Sequence, residues 1–252
     1  MQRDLLFVAN WKMQLSYKQS IQFVDVHRDD LRALAHNHSI IICPSFDALS
    51  SLGELLKDTG VELGAQDVSM HARGAYTGQV AATSLKEVGC SYCIIGHSER
   101  RQYNAESSEH IAHKIIQTAA VGITPLICIG ETAAQKKAGH TATALQEQLD
   151  PLIDTIKLTP LTSVGIAYEP VWAIGTGSIP TNKEIALILE WIRKYIHATI
   201  PAIELALLYG GSVTPDNALS LSATEGLDGF LIGGASTDFK KFQKIVLLDD
   251  KA

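Results

Sequence analysis

A closed, single (β/α)8 barrel is the fold class this sequence predicts, and three observations carry the prediction. Eight short apolar runs recur along the 252 residues, most of them without polar alternation. Segments of helical period lie between them. No composition break, linker, low-complexity stretch or short repeat divides the chain, so residues 1–252 read as one domain. Parallel strands need crossover connections, and helices supply them. An open doubly wound sheet is the alternative. It usually carries a glycine-rich turn after its first strand, where this chain has Ala9-Asn10-Trp11-Lys12.

The runs span residues 5–10, 40–44, 62–66, 93–97, 125–130, 164–169, 205–210 and 230–233. Continuous apolarity at this length marks strands buried on both faces. Between the fourth and fifth runs, Ile111, Ile115 and Ala119 fall at i, i+4 and i+8 of one helix. Ile185, Leu189, Ile192 and Ile196 stripe another, which opens on a capping box formed by Thr181 and Glu184. Thr214 followed by Pro215 starts a third, with proline at the first helical position.

Composition narrows the function classes. Hydrophobic residues make up 46% and charged residues 19%, an ordinary globular balance. With 21 Lys plus Arg against 27 Asp plus Glu, the chain lacks the basic surface that nucleic acid requires. A local positive pocket for a small anion is compatible with that balance. No run approaches the roughly 20 apolar residues of a membrane span. The first twelve residues turn charged before reaching the length of a secretory leader, so a cytoplasmic location is expected. Cys43, Cys90, Cys93 and Cys128 are too few and too scattered for a disulfide scaffold. The Cys90-x-x-Cys93 pair reads as buried strand cysteine rather than a redox motif. His36/His38 and His110/His113 are the only close histidine pairs, and both are expected on solvated helix faces or ends. Neither has a zinc pattern, so no metal and no cofactor is predicted.

In such barrels the chemistry sits where the carboxyl ends of the strands and their loops converge. Here those ends carry Asn10 and Lys12, then His97-Ser98-Glu99-Arg100, then Glu169-Pro170, then Gly210-Gly211-Ser212 and Gly233-Gly234-Ala235-Ser236. Taken singly, each has an ordinary explanation: a snorkelling lysine, a core histidine, a solvated glutamate, glycine turns. Together at one end of one barrel they suit proton transfer beside a carbonyl. Glu169 can take a carbon-bound proton, His97 can polarise oxygen, and Lys12 can offset negative charge. Glycine pairs let backbone amides approach an anion, and the last two strand ends are the common phosphate location of this fold. Beyond the carboxylate, Val171, Trp172 and Ile174 put apolar side chains on a loop that would otherwise be polar. That suits a lid which excludes water. These residues leave open an isomerase, another phosphate-binding barrel enzyme such as an epimerase or Schiff-base aldolase, or a barrel that only binds.

Residues 9–13 (ANWKM), 64–66 (GAQ), 74–78 (GAYTG), 95–103 (IGHSERRQY), 128–131 (CIGE), 167–177 (AYEPVWAIGTG), 209–213 (YGGSV) and 231–236 (LIGGAS) resemble the triosephosphate isomerase family, in family order. The resemblance implies a TIM barrel that interconverts D-glyceraldehyde 3-phosphate and dihydroxyacetone phosphate without a cofactor, in glycolysis and gluconeogenesis. It implies Glu169 as base, His97 as neutral electrophile with a lowered pKa, and Asn10 and Lys12 as contacts to the substrate oxygens. Gly175, Ser212, Gly233 and Gly234 become backbone phosphate donors, with Ser98, Glu99 and Tyr209 in support. Ile174 and Leu231 become an apolar clamp whose desolvation raises the pKa of the base. Pro170, Val171, Trp172, Ala173, Ile174, Gly175 and Thr176 become the lid. A homodimer formed through the loop around Thr77 is implied as well. Asp67 stands where the family commonly has Asn, Lys136-Lys137 replace an Arg-Glu pair, and Ser178-Ile179-Pro180 replace the usual hinge. None of these departures touches the chemical residues.

Overall fold

A computed structural model describes residues 5–174 and 179–248. Eight strands close in sequence order into one parallel barrel: β1 (Leu6–Asn10), β2 (Ser39–Cys43), β3 (Glu62–Ala65), β4 (Cys90–Ile95), β5 (Thr124–Ile129), β6 (Ser163–Tyr168), β7 (Glu204–Tyr209) and β8 (Gly229–Ile232). The ring is completed where Leu6 pairs with Gly229 and Ala9 with Ile232. Each anticipated run contains or overlaps one strand. β4 begins three residues before its apolar run: Ser91 and Tyr92 interrupt the apolarity, and the pairing with β3 shifts register there while Tyr92 pairs with Thr124 of β5.

Alternate residues of each strand serve two cores. Val8, Ile41, Ile94, Leu126, Ala167 and Leu208 fill the barrel interior. Phe7, Ile40, Ile42, Ile127, Ile166 and Leu207 face the helices. The period-2 alternation of a strand thus lies between two apolar layers, which accounts for the nearly continuous runs.

The helices are α1 (Tyr17–Ala35), α2 (Leu49–Leu55), α3 (Ala82–Glu87), α4 (Ser98–Tyr103), α5 (Ser108–Ala120), α6 (Ala133–Lys137), α7 (Thr141–Lys157), α8 (Asn182–Thr199), α9 (Pro215–Ser222) and α10 (Phe239–Leu247). The stripes expected on α5 and α8 are buried. At the start of α8 the Thr181 hydroxyl accepts from the Glu184 amide at 3.2 Å, and the Glu184 carboxylate accepts from the Thr181 amide at 2.8 Å. Two orphan amides are satisfied there by each other's side chains.

Two expectations about scattered residues resolve differently. All four cysteines are free and buried, Cys90 and Cys93 both on β4, and burial pushes the Cys90 thiol up to about 12. His38 is not solvated: it is buried just before β2 and meets the Phe7 ring edge-on at 5.3 Å. A short polar stretch between a helix and a strand looks exposed in sequence, yet the imidazole here packs against an aromatic ring of β1. Among the described residues, no helix is long and apolar enough to cross a membrane.

Candidate active site

The carboxyl ends of the strands open into a cavity of about 540 Å3. Asn10, Lys12, His97, Glu169, Ile174, Ser212, Leu231, Gly233 and Gly234 all line it, so the side chains singled out from five strand ends share one space. Gly175 and Thr176 lie outside the described residues. Ser98, Glu99 and Tyr209 stand behind the wall.

At the end of β1 the chain turns sharply. Lys12 has φ of 51°, a left-handed conformation that costs a residue with a Cβ about 1–2 kcal/mol. Three hydrogen bonds hold the turn. The Lys12 amide donates to Asn10 Oδ1 at 3.1 Å, while its carbonyl accepts from Gln66 Nε2 at 2.8 Å and Ser45 Oγ at 3.1 Å. Strained backbone kept by surrounding bonds is a mark of functional positions. The ammonium of Lys12 meets Glu99 Oε1 at 2.5 Å. Gln66 and Ser45 were not among the expected site residues. Their task is to hold a backbone carbonyl, which no side-chain chemistry announces.

At the end of β4, His97 caps α4. The Glu99 amide donates to His97 Nδ1 at 3.2 Å, which leaves the proton of the neutral ring on Nε2. That nitrogen faces Glu169 Oε1 at 3.1 Å. Glu169 Oε2 accepts from the Ser98 amide at 3.0 Å. Ser98 therefore supports the carboxylate through its backbone. Both members of the pair are buried, Glu169 at 2% exposure and His97 at 5%.

This pairing corrects two expectations about titration. Burial pushes the Glu169 carboxyl up, but His97 and the Ser98 amide outweigh it and hold the group below the usual carboxylate range. Burial pushes His97 down, and the adjacent Glu169 carboxylate more than compensates, so its pKa is raised rather than lowered. Both signs depend on a 3.1 Å contact that sequence does not specify.

Glycine defines the far side of the base. A Cβ at Gly210 would lie 2.8 Å from Glu169 Cγ, so the chain leaving β7 passes this close because it has no side chain there. Tyr209, fully buried, holds its hydroxyl where it has no hydrogen-bond partner among the described residues.

The remaining end of the cavity is backbone. Among the described residues, the amides of Ser212, Gly233 and Gly234 donate to no carbonyl. The Ser236 hydroxyl accounts for the carbonyls of Ile232 and Gly233, at 3.1 and 2.7 Å. Free N–H groups of this kind are suited to receive an anion.

Past Glu169, residues Val171–Ala173 form a 3-10 turn with Ala173 buried. Glu131, itself buried, anchors this arm: its carboxylate accepts from Tyr168 Oη at 3.1 Å and from Trp172 Nε1 at 2.8 Å. Lys136 lies over the Trp172 ring at 3.6 Å. Glu131 was visible only as part of a motif, without a role. Among the described residues, no three His, Cys, Asp or Glu side chains are grouped so as to hold a metal ion.

Fold and site define a class: a barrel enzyme with a buried carboxylate–imidazole pair at one end of its cavity and backbone amides without carbonyl partners at the other. The family model described as triosephosphate isomerase matches residues 5–248. The chain is 39% identical to triosephosphate isomerase of Cupriavidus necator, over 96% of this chain and 98% of that protein. It is 41% identical to that of Herpetosiphon aurantiacus, over 98% and 99%. A crystal structure of triosephosphate isomerase from Bartonella henselae superposes with a TM-score of 0.84 at 30% identity, covering 98% of this chain and all of that one. The chain belongs to the triosephosphate isomerase family.

Proposed function

We propose that this enzyme interconverts D-glyceraldehyde 3-phosphate and dihydroxyacetone phosphate with its own side chains alone, Glu169 carrying the proton. The observation that supports this assignment is the Glu169–His97 contact on the wall of a cavity whose opposite end is built from free amides. Phosphate held by Ser212, Gly233 and Gly234, with Gly175 from the lid, leaves the carbonyl carbons toward Glu169. The carboxylate leaves the Ser98 amide, removes a proton from the carbon beside the carbonyl, and returns it to the neighbouring carbon. His97 donates from Nε2 to the developing enediolate oxygens, and Lys12 and Asn10 offset their charge.

Substrate lying between Glu169 and His97 separates the pair. Burial then becomes the main influence on each: it makes the glutamate a stronger base and keeps the imidazole neutral. Closure of Ile174 and Leu231 over the site deepens that burial, and Glu131 serves as the fixed end of the moving arm. The chain acts as one catalytic domain in the cytoplasm, within glycolysis and gluconeogenesis, as a homodimer joined through the loop around Thr77. Exposure of Thr77 together with its neighbours Tyr76 and Gly78 supports that docking role.

The test is a coupled assay with glyceraldehyde 3-phosphate and no added metal or cofactor. Fast formation of dihydroxyacetone phosphate is expected. No turnover by the folded protein would overturn the assignment.

A further inference from the structure

The charges around the cavity are mostly answered from within. Glu169 is matched by His97, and Lys12 is bridged to Glu99 at 2.5 Å. A doubly charged phosphate brought to Ser212, Gly233 and Gly234 thus meets backbone donors and a lysine already engaged elsewhere. One further cation lines the same cavity: Lys241, in the first turn of α10. Its side chain is exposed and has no ion pair or hydrogen bond among the described residues. The Lys241 amide donates to Asp238 Oδ1 at 3.1 Å, which fixes this turn beside the cradle.

The acidic group at the positive end of α10 is its cap, Asp238, whose carboxylate is engaged by the Lys241 amide, and the first turn itself carries Lys240 and Lys241. Asp216 is the acidic side chain that lines this end of the cavity, and it sits in the first turn of α9, where that helix's own positive end offsets it.

We propose that Lys241 is a specificity-determining residue for the phosphate group, an unpaired cation at the mouth of the cradle that attracts the dianion and strengthens its binding. The proposal rests on the reading of Ser212, Gly233 and Gly234 as the phosphate end. Lys241 takes no part in proton transfer. It acts through charge, so its contribution falls on capture of substrate and fades with salt.

Lys241→Gln, Lys241→Glu and Lys240→Gln test this in the full-length enzyme. Lys240→Gln removes the same charge one residue earlier on the same helix, from a side chain that does not line the cavity. The expected result is a fall in kcat/KM for glyceraldehyde 3-phosphate of roughly two- to fivefold in Lys241→Gln, the scale of an exposed charge pair, and more in Lys241→Glu. Affinity for inorganic phosphate as a competitive inhibitor should fall in parallel. Lys240→Gln should match wild type, and the difference should vanish between about 0.01 M and about 1 M salt. Equal effects from both lysines would overturn the proposal, as would wild-type behaviour of Lys241→Glu or a defect that persists at high salt. An inactive wild type would instead refute the functional assignment, so the two failures are distinguishable.

Discussion

The two ends of the cavity are built on opposite plans. At the acid–base end the working groups are side chains, held by one another and by amides: Lys12 by Glu99, and His97 by Glu169 and the Glu99 amide, all buried or half-buried. At the end proposed for phosphate the donors are mainly backbone amides, with Lys241 and Asp216 lining the same space, and a Cβ built on Gly234 touches nothing closer than 3.7 Å, at the Gln14 side chain. Chemistry needs groups whose protonation can be tuned by neighbours, and only side chains offer that. A phosphate handle needs charge complementarity without titration, and backbone provides it at every pH. Substitutions at one end should therefore change rate, and those at the other affinity.

Glu169→Gln tests the first half most severely. The base is lost while the cradle stays, so kcat should fall by roughly 10²–10⁴ with inhibitor affinity retained. Near-normal turnover would mean that another group moves the proton. Thr77→Arg comes next. If the docked loop of a second copy steadies the Lys12 end, sedimentation should show monomers, and kcat should drop well before phosphate binding does. A fully active monomer would show that Gln66, Ser45 and Asn10 hold Lys12 without help.

Gly234→Val addresses the other end. The added branches reach into space that phosphate needs while the empty cradle accommodates them, so circular dichroism should be unchanged. Phosphoglycolate should bind roughly 10–100-fold more weakly, the worth of one hydrogen bond to a charged group. Unchanged affinity would move the phosphate site elsewhere. The subtlest test concerns protons. The His97 pKa is raised because the Glu169 carboxylate outweighs burial, so the part of stability owed to the pair is present below the unfolded His value and lost as pH rises through the folded one. Glu169→Gln removes the carboxylate and leaves the burial. His97 should then titrate lower, by nuclear magnetic resonance of its ring, than in wild type. An unmoved titration would mean that the two groups are uncoupled in solution.

Most of the barrel was legible because its strands are apolar on both faces, and helix starts such as Thr181 carry their own signal. The side-chain half of the site was legible too, since Glu169, His97 and Lys12 are chemically distinctive and recur at one end of the strands. The glycine pairs were legible as a backbone site, whereas side chains that hold a main-chain carbonyl or act at a distance were not. Gln66 and Ser45 bind a carbonyl, and Lys241 looks in sequence like any solvated lysine of a helix. The titration directions escaped for a related reason: opposing influences of similar size are decided by a few tenths of an ångström.

Closure of the ring has a practical corollary for protein engineering. Because β8 pairs with β1 and α10 packs against α1, Leu5 and Leu248 are brought to the same side of the molecule, at the amino ends of the strands. Every residue assigned to chemistry stands at the other side. A linker bridging Leu5 and Leu248, with the chain reopened in an exposed loop on the amino-end side such as the one between α3 and β4 around Gly89, would therefore lie away from the site. Such a circular permutant should keep its catalytic face intact, and a carrier or surface tether attached near Leu5 or Leu248 would leave the mouth of the cavity clear for substrate.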